Sequence, residues 1–215
     1  AESVCSVKNR DDLVEINDSR TELLIWERSL PMALRDWLDQ IDDTALPYIR
    51  VFVAPEDLRP ALEPLLDDCG MPKGKMRDLL INDMGDLVSA FAHITDEERV
   101  DVRLERIDHN ACWKFHRDTV EIRLVTTYRG STTEWVLPED AERAVAEQKS
   151  FDGSFESLSD HDVAIFKGKT AGPNSGIVHR SPPIDGTGET RLLLCLNKQT
   201  VVSPAPWVRD ETISA

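Results

Sequence analysis

Residues 111–137, ACWKFHRDTVEIRLVTTYRGSTTEWVL, contain three short segments rich in β-branched and aromatic residues. Such segments favour β-strands, and we predict strands over 111–116, 121–128 and 132–137. Gly130 lies between the second and third segments, where a turn residue is expected. Three further segments of the same kind lie at 102–107, 163–167 and 190–197. Several short strands joined by turns predict an antiparallel sandwich or barrel in the C-terminal half of the chain.

The N-terminal half of the chain has a helical pattern instead. Apolar residues recur three and four positions apart in residues 31–41, 55–69 and 73–94, which is the spacing of one helix face. Residues 48–53 (YIRVFV) alternate in polarity and predict a strand between the first two helices. Residues 140–148 predict a short helix within the C-terminal half.

Together these patterns predict an α+β fold. The length of 215 residues suits one domain, so we expect residues 1–215 to fold as a unit. Within it, residues 1–98 should form a mainly helical N-terminal layer. This layer should pack on a β-barrel formed by residues 99–215.

The charge of the chain narrows the possible partners. There are 25 Lys and Arg residues against 40 Asp and Glu residues, a formal net charge of −15. Binding to a phosphate backbone needs clustered basic residues, and an acidic protein repels polyanions. We therefore expect no nucleic acid among its partners. Composition does not distinguish a small-molecule substrate from a protein substrate.

Several patterns bear on the location of the protein. No apolar run approaches the roughly 20 residues that a membrane helix needs, so we expect no membrane span. The N-terminus lacks the basic-then-apolar pattern of a signal peptide. The four cysteines form no Cys-x-x-Cys pair, and Cys112 and Cys195 lie in apolar segments that predict buried thiols. We therefore predict a cytoplasmic protein.

A His-x-Asp sequence, His116-Arg117-Asp118, ends the first predicted strand. Residues two apart in a strand point to the same face with Cα atoms roughly 6 to 7 Å apart, so His116 and Asp118 could hold one ion. Two imidazoles and one carboxylate form the facial triad that suits non-haem Fe(II) and leaves open coordination positions. His179 is the best candidate for the second imidazole, because the glycine-rich turn at 171–176 lets the chain reverse before it.

Arg191 begins the last predicted strand. An arginine is unusual on an otherwise apolar strand, but it suits a pocket that receives a carboxylate, because its planar guanidinium binds both oxygens. A His-x-Asp sequence alone also occurs by chance on protein surfaces, and the order of His179 and Arg191 after it favours a site. The remaining histidines, for which we expect solvated or structural roles at a helix end or in turns, are His93, His109 and His161.

Much of the chain resembles a bacterial family catalogued as a domain of unknown function (number eighteen-twenty-six). The segments that carry the resemblance are 111–136, 162–183 (DVAIFKGKTAGPNSGIVHRSPP) and 190–197 (TRLLLCLN), together with LIWERSLP at 24–31. The family label implies no established reaction. Genes of that family often lie near zinc-responsive metallochaperone GTPases, which implies metal homeostasis with a partner protein.

The second half of the chain is more distantly similar to the double-stranded β-helix of Fe(II)/2-oxoglutarate oxygenases. In that superfamily a His-x-Asp closes an early strand, a second His begins a late strand, and an Arg on the last strand binds the cosubstrate carboxylate. The resemblance implies a cupin-like, jelly-roll barrel in which His116, Asp118 and His179 bind the metal. It also implies that Arg191 binds the cosubstrate.

Three further residues are candidates for the cosubstrate pocket. Arg180 follows His179 directly and could compete with Arg191 for the carboxylate. Tyr128 and Arg123 lie on the strand after the His-x-Asp sequence and could add a hydrogen bond or a charge. They lie on opposite faces of that strand, so at most one of them should point into the pocket.

Two hypotheses of different classes follow. In the first, the protein is a dioxygenase that uses Fe(II) and 2-oxoglutarate, and the protein orients a substrate that the sequence does not identify. In the second, it is a zinc-binding accessory protein of metal homeostasis, because Zn(II) also accepts two histidines and a carboxylate with an open fourth position. A third possibility is a non-enzymatic interaction module in which the histidines are structural.

Overall fold

The centre of the computed structural model, which describes residues 3–209, is a seven-stranded mixed sheet. The strands are numbered along the chain, and their order across the sheet is β1 (Val4–Val7), β2 (Leu23–Trp26), β8 (Val163–Lys167), β5 (Ile122–Arg129), β10 (Arg191–Asn197), β4 (Val100–Ile107) and β3 (Tyr48–Val53). Only β1 and β2 pair in parallel, and the other neighbours are antiparallel.

A smaller sheet lies against one face of the large one. Its strands, in spatial order, are β7 (Glu156–Ser157), β6 (Glu134–Trp135) and β9 (His179–Arg180). From β5 onward the chain passes repeatedly between the sheets, with β5, β8 and β10 in the large sheet and β6, β7 and β9 in the small one. The two sheets are thus connected by repeated crossings of the chain. The apolar cluster between the layers includes Leu23, Val125, Trp135, Leu158, Phe166, Ile177 and Cys195.

Three helices pack against the opposite face of the large sheet. They are α1 (Met32–Gln40), α2 (Leu58–Asp68) and α3 (Lys75–Thr95). Their apolar faces share one cluster with the sheet, and the fully buried members of this cluster include Leu34, Leu62, Leu80, Met84, Leu87, Phe91, Leu104, Leu124 and Leu194. Burial of each such side chain contributes roughly 1.5–3 kcal/mol, so this cluster is a major source of stability.

A fourth helix, α4 (Ala141–Glu147), covers the outer face of the small sheet. Its apolar side packs in a separate cluster with Phe115, Val136 and Val178. Gln148, just after α4, exchanges two hydrogen bonds with the backbone of Phe115, each 2.9 Å long. These bonds hold in place the segment that carries His116.

Most of the predicted elements are confirmed, with ends that agree within a few residues. The confirmed elements are the three N-terminal helices, the helix at 140–148, and the strands at 48–53, 102–107, 121–128, 163–167 and 190–197. The predicted N-terminal layer is incomplete, however. β1, β2 and the 3-10 segment Arg10–Asn17 have no counterpart among the predicted elements, and β1, β2 and β3 belong to the large sheet.

Residues 111–116 do not form a strand, contrary to the prediction. Cys112 has a φ of 51°, in the left-handed region, which interrupts an extended chain. In consequence its thiol is exposed rather than buried, whereas Cys195 is buried as predicted. The predicted strand at 132–137 is reduced to the two residues of β6.

The division of the chain into parts at 1–98 and 99–215 stays a prediction, and both parts extend beyond the residues that the structure describes. Cys69, Cys112 and Cys195 are free thiols. Within residues 3–209, no helix is both long and apolar enough to cross a membrane.

Candidate metal centre

His116 and His179 lie opposite each other at the edge of the small sheet. The backbone N–H of each residue donates to the carbonyl oxygen of the other, and both N–O distances are 3.0 Å. This pairing places the two imidazoles side by side, with ring centroids 4.7 Å apart. Phe166 of β8 packs against the ring of His179 at a centroid distance of 4.5 Å. The two histidines therefore meet through sheet pairing between distant parts of the chain.

Asp118 completes the cluster. One carboxylate oxygen lies 3.3 Å from Nε2 of His116, and the other lies 3.4 Å from Nε2 of His179. The candidate ligand atoms of the three residues all lie within 4.8 Å of one another, and no second group of this kind occurs within residues 3–209. The structure thus brings the three predicted metal ligands together, although not through the strand alternation from which their convergence was predicted.

The loop of Asp118 is held by the glycine-rich segment after β8. The backbone N–H of Lys169 donates to the carbonyl oxygen of Asp118 over 2.8 Å. A Cβ on Gly168 would lie 2.7 Å from that oxygen and 2.2 Å from the carbonyl oxygen of Val120, so only glycine allows this approach. Arg117 adds a hydrogen bond from Nε to the carbonyl oxygen of Gly176, 2.9 Å long.

Both imidazoles are oriented by their own backbone. Nδ1 of His116 lies 2.7 Å from the carbonyl oxygen of Lys114, and Nδ1 of His179 lies 3.2 Å from that of Ile177. A carbonyl oxygen can only accept, so each Nδ1 carries the proton. In the neutral imidazole this leaves the lone pair on Nε2, the atom that faces Asp118. Metal-binding histidines are commonly oriented in this way.

The electrostatics of the cluster favour an ionised carboxylate. Burial by itself would raise the pKa of Asp118, but hydrogen bonds from the protonated forms of His116 and His179 and the charge of Arg123 hold that pKa well below its usual value. The hydrogen bond to Asp118 raises the pKa of His116 above its usual value, against an opposing effect of burial. A carboxylate that stays ionised is the form that binds a cation.

Arg123 of β5 orients Asp118. Its Nη1 donates to Asp118 Oδ2 over 2.5 Å, and its Nε donates to Asn197 Oδ1 over 2.7 Å. Arg123 also lines a cavity that lies beside the two imidazoles. At most one of Arg123 and Tyr128 was predicted to point into the pocket. Because its guanidinium already donates to Asp118 and Asn197, Arg123 positions the carboxylate of Asp118, a candidate metal ligand. The sequence had suggested Arg123 as a candidate for the cosubstrate pocket.

Tyr128 lies on the helix side of the large sheet, away from the cavity. Its hydroxyl donates to Asp83 of α3 over 2.6 Å, and its ring belongs to the helix-side apolar cluster. Burial raises the pKa of this hydroxyl well above its usual value, so the group stays a neutral donor. This placement contradicts the predicted alternative that Tyr128 contributes to the cosubstrate pocket.

Arg191 is buried at the start of β10, on the strand face that also carries Leu193 and Cys195. Its Nε donates to the carbonyl oxygen of Ser131 over 2.6 Å. Neither terminal nitrogen has a hydrogen-bond partner in the part of the chain that the structure describes. Burial lowers the pKa of Arg191 to about 10. Buried guanidinium nitrogens are normally paired, so the two terminal nitrogens of Arg191 keep an unused capacity to donate hydrogen bonds.

Arg180, the predicted competitor of Arg191, is already paired. Its Nε donates to Glu134 Oε2 over 2.6 Å, and its guanidinium stacks on the rings of Phe115 and Phe155 at 4.2 and 5.1 Å. Of the two arginines, only Arg191 has terminal nitrogens that are buried and without a partner in the described chain.

A cavity of about 160 Å³ lies beside the two imidazoles. Its wall includes apolar side chains of the large sheet, such as Val125 and Leu193. Lining residues that the sequence analysis did not identify are Tyr48, Arg103, Glu105, Thr133 and Ser181. Arg103 and Glu105 alternate on β4 with buried apolar residues. This alternation could have predicted that one face of β4 borders a polar cavity.

Fold and site together define an α+β protein with a large mixed sheet and a two-histidine, one-carboxylate cluster at a cavity. The chain belongs to the family described as "Protein of unknown function (DUF1826)", which matches residues 8–197. This confirms the family resemblance predicted from the sequence. No curated protein matches the sequence at a significant level.

Several solved structures have a similar chain path. A prolyl-4-hydroxylase from Pseudomonas putida has a TM-score of 0.45 and 11% identity, over 89% of this chain and 100% of that chain. AviO1 from Streptomyces viridochromogenes has a TM-score of 0.42 and 15% identity, over 93% of this chain and 99% of that chain. The Kdo hydroxylase KdoO, described as a non-heme Fe(II) alphaketoglutarate dependent dioxygenase, has a TM-score of 0.42 and 12% identity, over 90% and 88%. These TM-scores are too low to support a conclusion about chemistry, so the chemistry of the site is inferred from its own residues.

Proposed function

We propose that this protein is a metal-dependent oxygenase of the Fe(II)/2-oxoglutarate type, built on a cupin-like double-stranded β-helix. His116, Asp118 and His179 would hold Fe(II), and Arg191 would bind the distal carboxylate of 2-oxoglutarate. The observation that carries the proposal is the cluster of two imidazoles and one carboxylate formed by His116, Asp118 and His179. The buried guanidinium of Arg191, whose terminal nitrogens have no hydrogen-bond partner in residues 3–209, supports it.

The donor set suits Fe(II). Two imidazole nitrogens and one carboxylate form a facial triad that leaves open positions for further ligands. The Nδ1 hydrogen bonds keep both Nε2 atoms available, and Arg123 keeps the Asp118 carboxylate in place. These are the outer contacts that fix ligand orientation at metal sites.

Arg191 suits a dicarboxylic acid. An uncompensated buried charge costs several kcal/mol, and a carboxylate on its two terminal nitrogens would remove that cost. When bound, Fe(II) and 2-oxoglutarate supply an oxidation in which O₂ is cleaved, CO₂ leaves, one oxygen atom enters succinate and the other enters the substrate. The protein's own contribution is to orient the ligands and to exclude water through Phe166, Val125 and Leu193.

Substrate entry is proposed at the end of the cavity formed by β3 and β4. Tyr48 is 71% exposed there and lines the cavity with the paired Arg103 and Glu105. The substrate, a small molecule or a protein, stays unidentified. A cytoplasmic location and a partner protein of metal homeostasis stay predictions, as does the expectation that nucleic acid is not a partner. No observation in the described residues favours a zinc-binding accessory role. Such a role would not explain the unpaired terminal nitrogens of the buried Arg191.

The test is anaerobic titration of Fe(II)-loaded protein with 2-oxoglutarate, followed by measurement of succinate after O₂ is admitted. We expect wild-type protein to bind 2-oxoglutarate and to form succinate in an O₂-dependent reaction. Arg191→Met should keep its metal and lose 2-oxoglutarate binding. Arg180→Ala is the matched control, and it should keep binding because Arg180 is held by Glu134 and two aromatic rings.

Binding of metal without binding of 2-oxoglutarate in the wild type would contradict the proposal and would favour the accessory role. Equal losses of 2-oxoglutarate affinity in Arg191→Met and Arg180→Ala would contradict the assignment of the carboxylate to Arg191.

A further inference from the structure

An ion pair lies on the wall of the cavity that also carries the imidazoles of His116 and His179. Its members, Arg103 and Glu105, both line this cavity. They are two residues apart on β4, so their side chains share the face opposite to the buried Leu104. Nε and Nη2 of Arg103 donate to Glu105 Oε1 over 3.1 and 2.5 Å. The cavity thus contains a charged pair that the proposed metal centre does not use.

The pair keeps one acceptor and one donor for a ligand. Both hydrogen bonds from Arg103 reach the same carboxylate oxygen, so Glu105 Oε2 and Arg103 Nη1 have no hydrogen-bond partner within residues 3–209. Neither of these two atoms is fully buried, and the side chains of Arg103 and Glu105 are 31% and 13% exposed. A carboxylate oxygen only accepts and a guanidinium nitrogen only donates. The pair therefore offers two complementary positions beside each other.

The pair has no net charge, which selects against charged ligands. A carboxylate that approached Arg103 would also approach the carboxylate of Glu105, only 2.5 Å from the guanidinium. An ammonium group that approached Glu105 would be repelled by Arg103 in the same way. Arg123, which also lines the cavity, is already paired with Asp118. A neutral group with an acceptor beside a donor avoids both repulsions and the cost of burying a further charge.

The pair borders the end of the cavity that is open to solvent. Tyr48 of β3 is the cross-strand neighbour of Glu105 and lines the same cavity. Its side chain is largely exposed. A ligand that enters past Tyr48 therefore meets the pair before it reaches the imidazoles.

An apolar stretch of wall separates the pair from the metal cluster. Leu193 of β10 lies beside Glu105, and Val125 lies one strand further, on β5, and both line the cavity. β5 also carries Arg123, whose guanidinium contacts Asp118. β4 and β5 are two strand spacings apart, which is roughly 10 Å. A ligand held by the pair therefore extends toward the metal cluster along apolar side chains.

We propose that the Arg103–Glu105 pair is a binding site for a neutral amide at the outer end of an aliphatic ligand. The amide oxygen accepts from Arg103 Nη1, and the amide N–H donates to Glu105 Oε2. The aliphatic chain lies along Leu193 and Val125 toward the metal ligands. The identification of this ligand as the substrate of an oxygenase rests on the proposed function, whereas the binding of an amide does not.

The experiment titrates metal-free protein with pentanamide, pentanoate and pentylammonium, and it follows the backbone amide NMR signals of Arg103 and Glu105. The three probes have similar aliphatic chains and differ in the charge of the head group. Wild-type protein should bind pentanamide at least about tenfold more tightly than either charged probe, which corresponds to one charge-assisted hydrogen bond. Equal affinity for the three probes, tighter binding of a charged probe, or no binding of pentanamide would overturn the inference.

Two variants that each remove one charge should change this order. Glu105→Gln leaves Arg103 without its anion, so this variant should bind pentanoate more tightly than pentanamide. Arg103→Gln leaves Glu105 without its cation, so this variant should prefer pentylammonium. Arg106→Gln is the matched control on β4, because Arg106 does not line the cavity and donates to the carbonyl oxygen of Asp43. It should keep the wild-type order, and an unchanged order in the first two variants would contradict the role of the pair.

This inference and the proposed function can fail separately. Preference for pentanamide in a protein that never binds 2-oxoglutarate would support the inference and remove only the proposed function. Formation of succinate by a protein that prefers a charged probe would overturn the inference and leave the proposed function in place.

Discussion

Two buried arginines lie on opposite sides of the large sheet, and their surroundings differ. Arg28, on the helix side, donates to both carboxylate oxygens of Asp83 at 2.5 and 3.1 Å and to the carbonyl oxygen of His161 at 2.8 Å. Tyr128 adds a further hydrogen bond to the same carboxylate. Within residues 3–209, the guanidinium of Arg191, on the other side of the sheet, has a single hydrogen bond, from Nε to the carbonyl oxygen of Ser131. One guanidinium is paired with a carboxylate of the protein, and the other keeps two terminal nitrogens without a hydrogen-bond partner in this part of the chain.

A buried charge is structural when its hydrogen-bond donors have acceptors within the protein, and it is a candidate binding residue when they do not. Burial alone does not separate the two cases. A buried charge whose donors are all matched tolerates its loss of hydration. A buried charge with unmatched donors weakens the fold by itself, so its presence needs a reason such as a ligand. By this criterion Arg28 is a structural charge and Arg191 is a candidate binding residue.

The largest effect on stability is expected from Asp83→Ala. This change leaves Arg28 buried without its anion, and we expect a loss of about 3–5 kcal/mol in the free energy of unfolding. Urea denaturation would measure it. Asp86→Ala is the matched control on α3, because the ion pair of Asp86 with Arg10 is largely exposed and should contribute no more than about 1 kcal/mol. Similar losses in both variants would contradict the structural role of the Arg28 network.

On the cavity side, His116→Ala and His179→Ala should remove metal binding while the fold persists. Each change deletes one of three ligands, so the affinity should fall by more than about 100-fold, which exceeds the usual effect of outer-shell changes. Elemental analysis of each variant beside the wild type would measure metal content, and circular dichroism would report the fold. His109→Ala, which alters another cavity histidine, should keep the metal. Metal retention in either ligand variant would contradict the proposed centre.

The most direct test of the difference between Arg28 and Arg191 replaces each of them with methionine. Arg28→Met should destabilise the fold, because Asp83 and Tyr128 lose their cation. Arg191→Met removes an unmatched charge, so its unfolding free energy should stay unchanged or rise by about 1 kcal/mol. At the same time 2-oxoglutarate affinity should fall by roughly 10- to 100-fold. If Arg191→Met proves as destabilising as Arg28→Met, the distinction between the two arginines is wrong.

The smallest effect concerns pH. The pKa of His116 is raised above its ordinary value of 6.5, so a proton begins to compete for Nε2 at a pH above 6.5 as the solution is acidified. Asp118 stays ionised through this range because its pKa is lowered. Metal affinity should therefore fall on acidification by about tenfold per pH unit below the histidine pKa. Competition titrations would test this, and a fall that begins only below pH 6.5 would contradict it.

Much of the fold follows from local patterns. The three N-terminal helices and five of the longer strands were predictable because each buries one face, and the burial imposes a period of 3.6 or 2 on the sequence. β1 and β2 were not predictable in this way, because each has only four residues and β2 joins the sheet by pairing with β8, which is distant in the chain. The segment 111–116 misled the prediction, since its aromatic content reflects packing against α4 and not a strand.

The candidate site was predictable in identity but not in arrangement. His116, Asp118 and His179 were selected by residue type and order, yet their convergence depends on a backbone pairing between residues 116 and 179 that no local pattern contains. Tyr128 and Arg123 could not be separated until the sheet faces were known. Arg180 and Arg191 could not be separated until Glu134 was located beside Arg180.

The sequence by itself determined the residue types available for chemistry and the elements that local periodicity imposes. Tertiary structure alone decided which charges are matched, because matching depends on side chains that are far apart in the chain. Asp83 pairs with Arg28 across 55 positions, whereas the terminal nitrogens of Arg191 have no hydrogen-bond partner in residues 3–209. Nothing local in the sequence separates the two arginines, because the difference comes from how distant segments pack around the sheet.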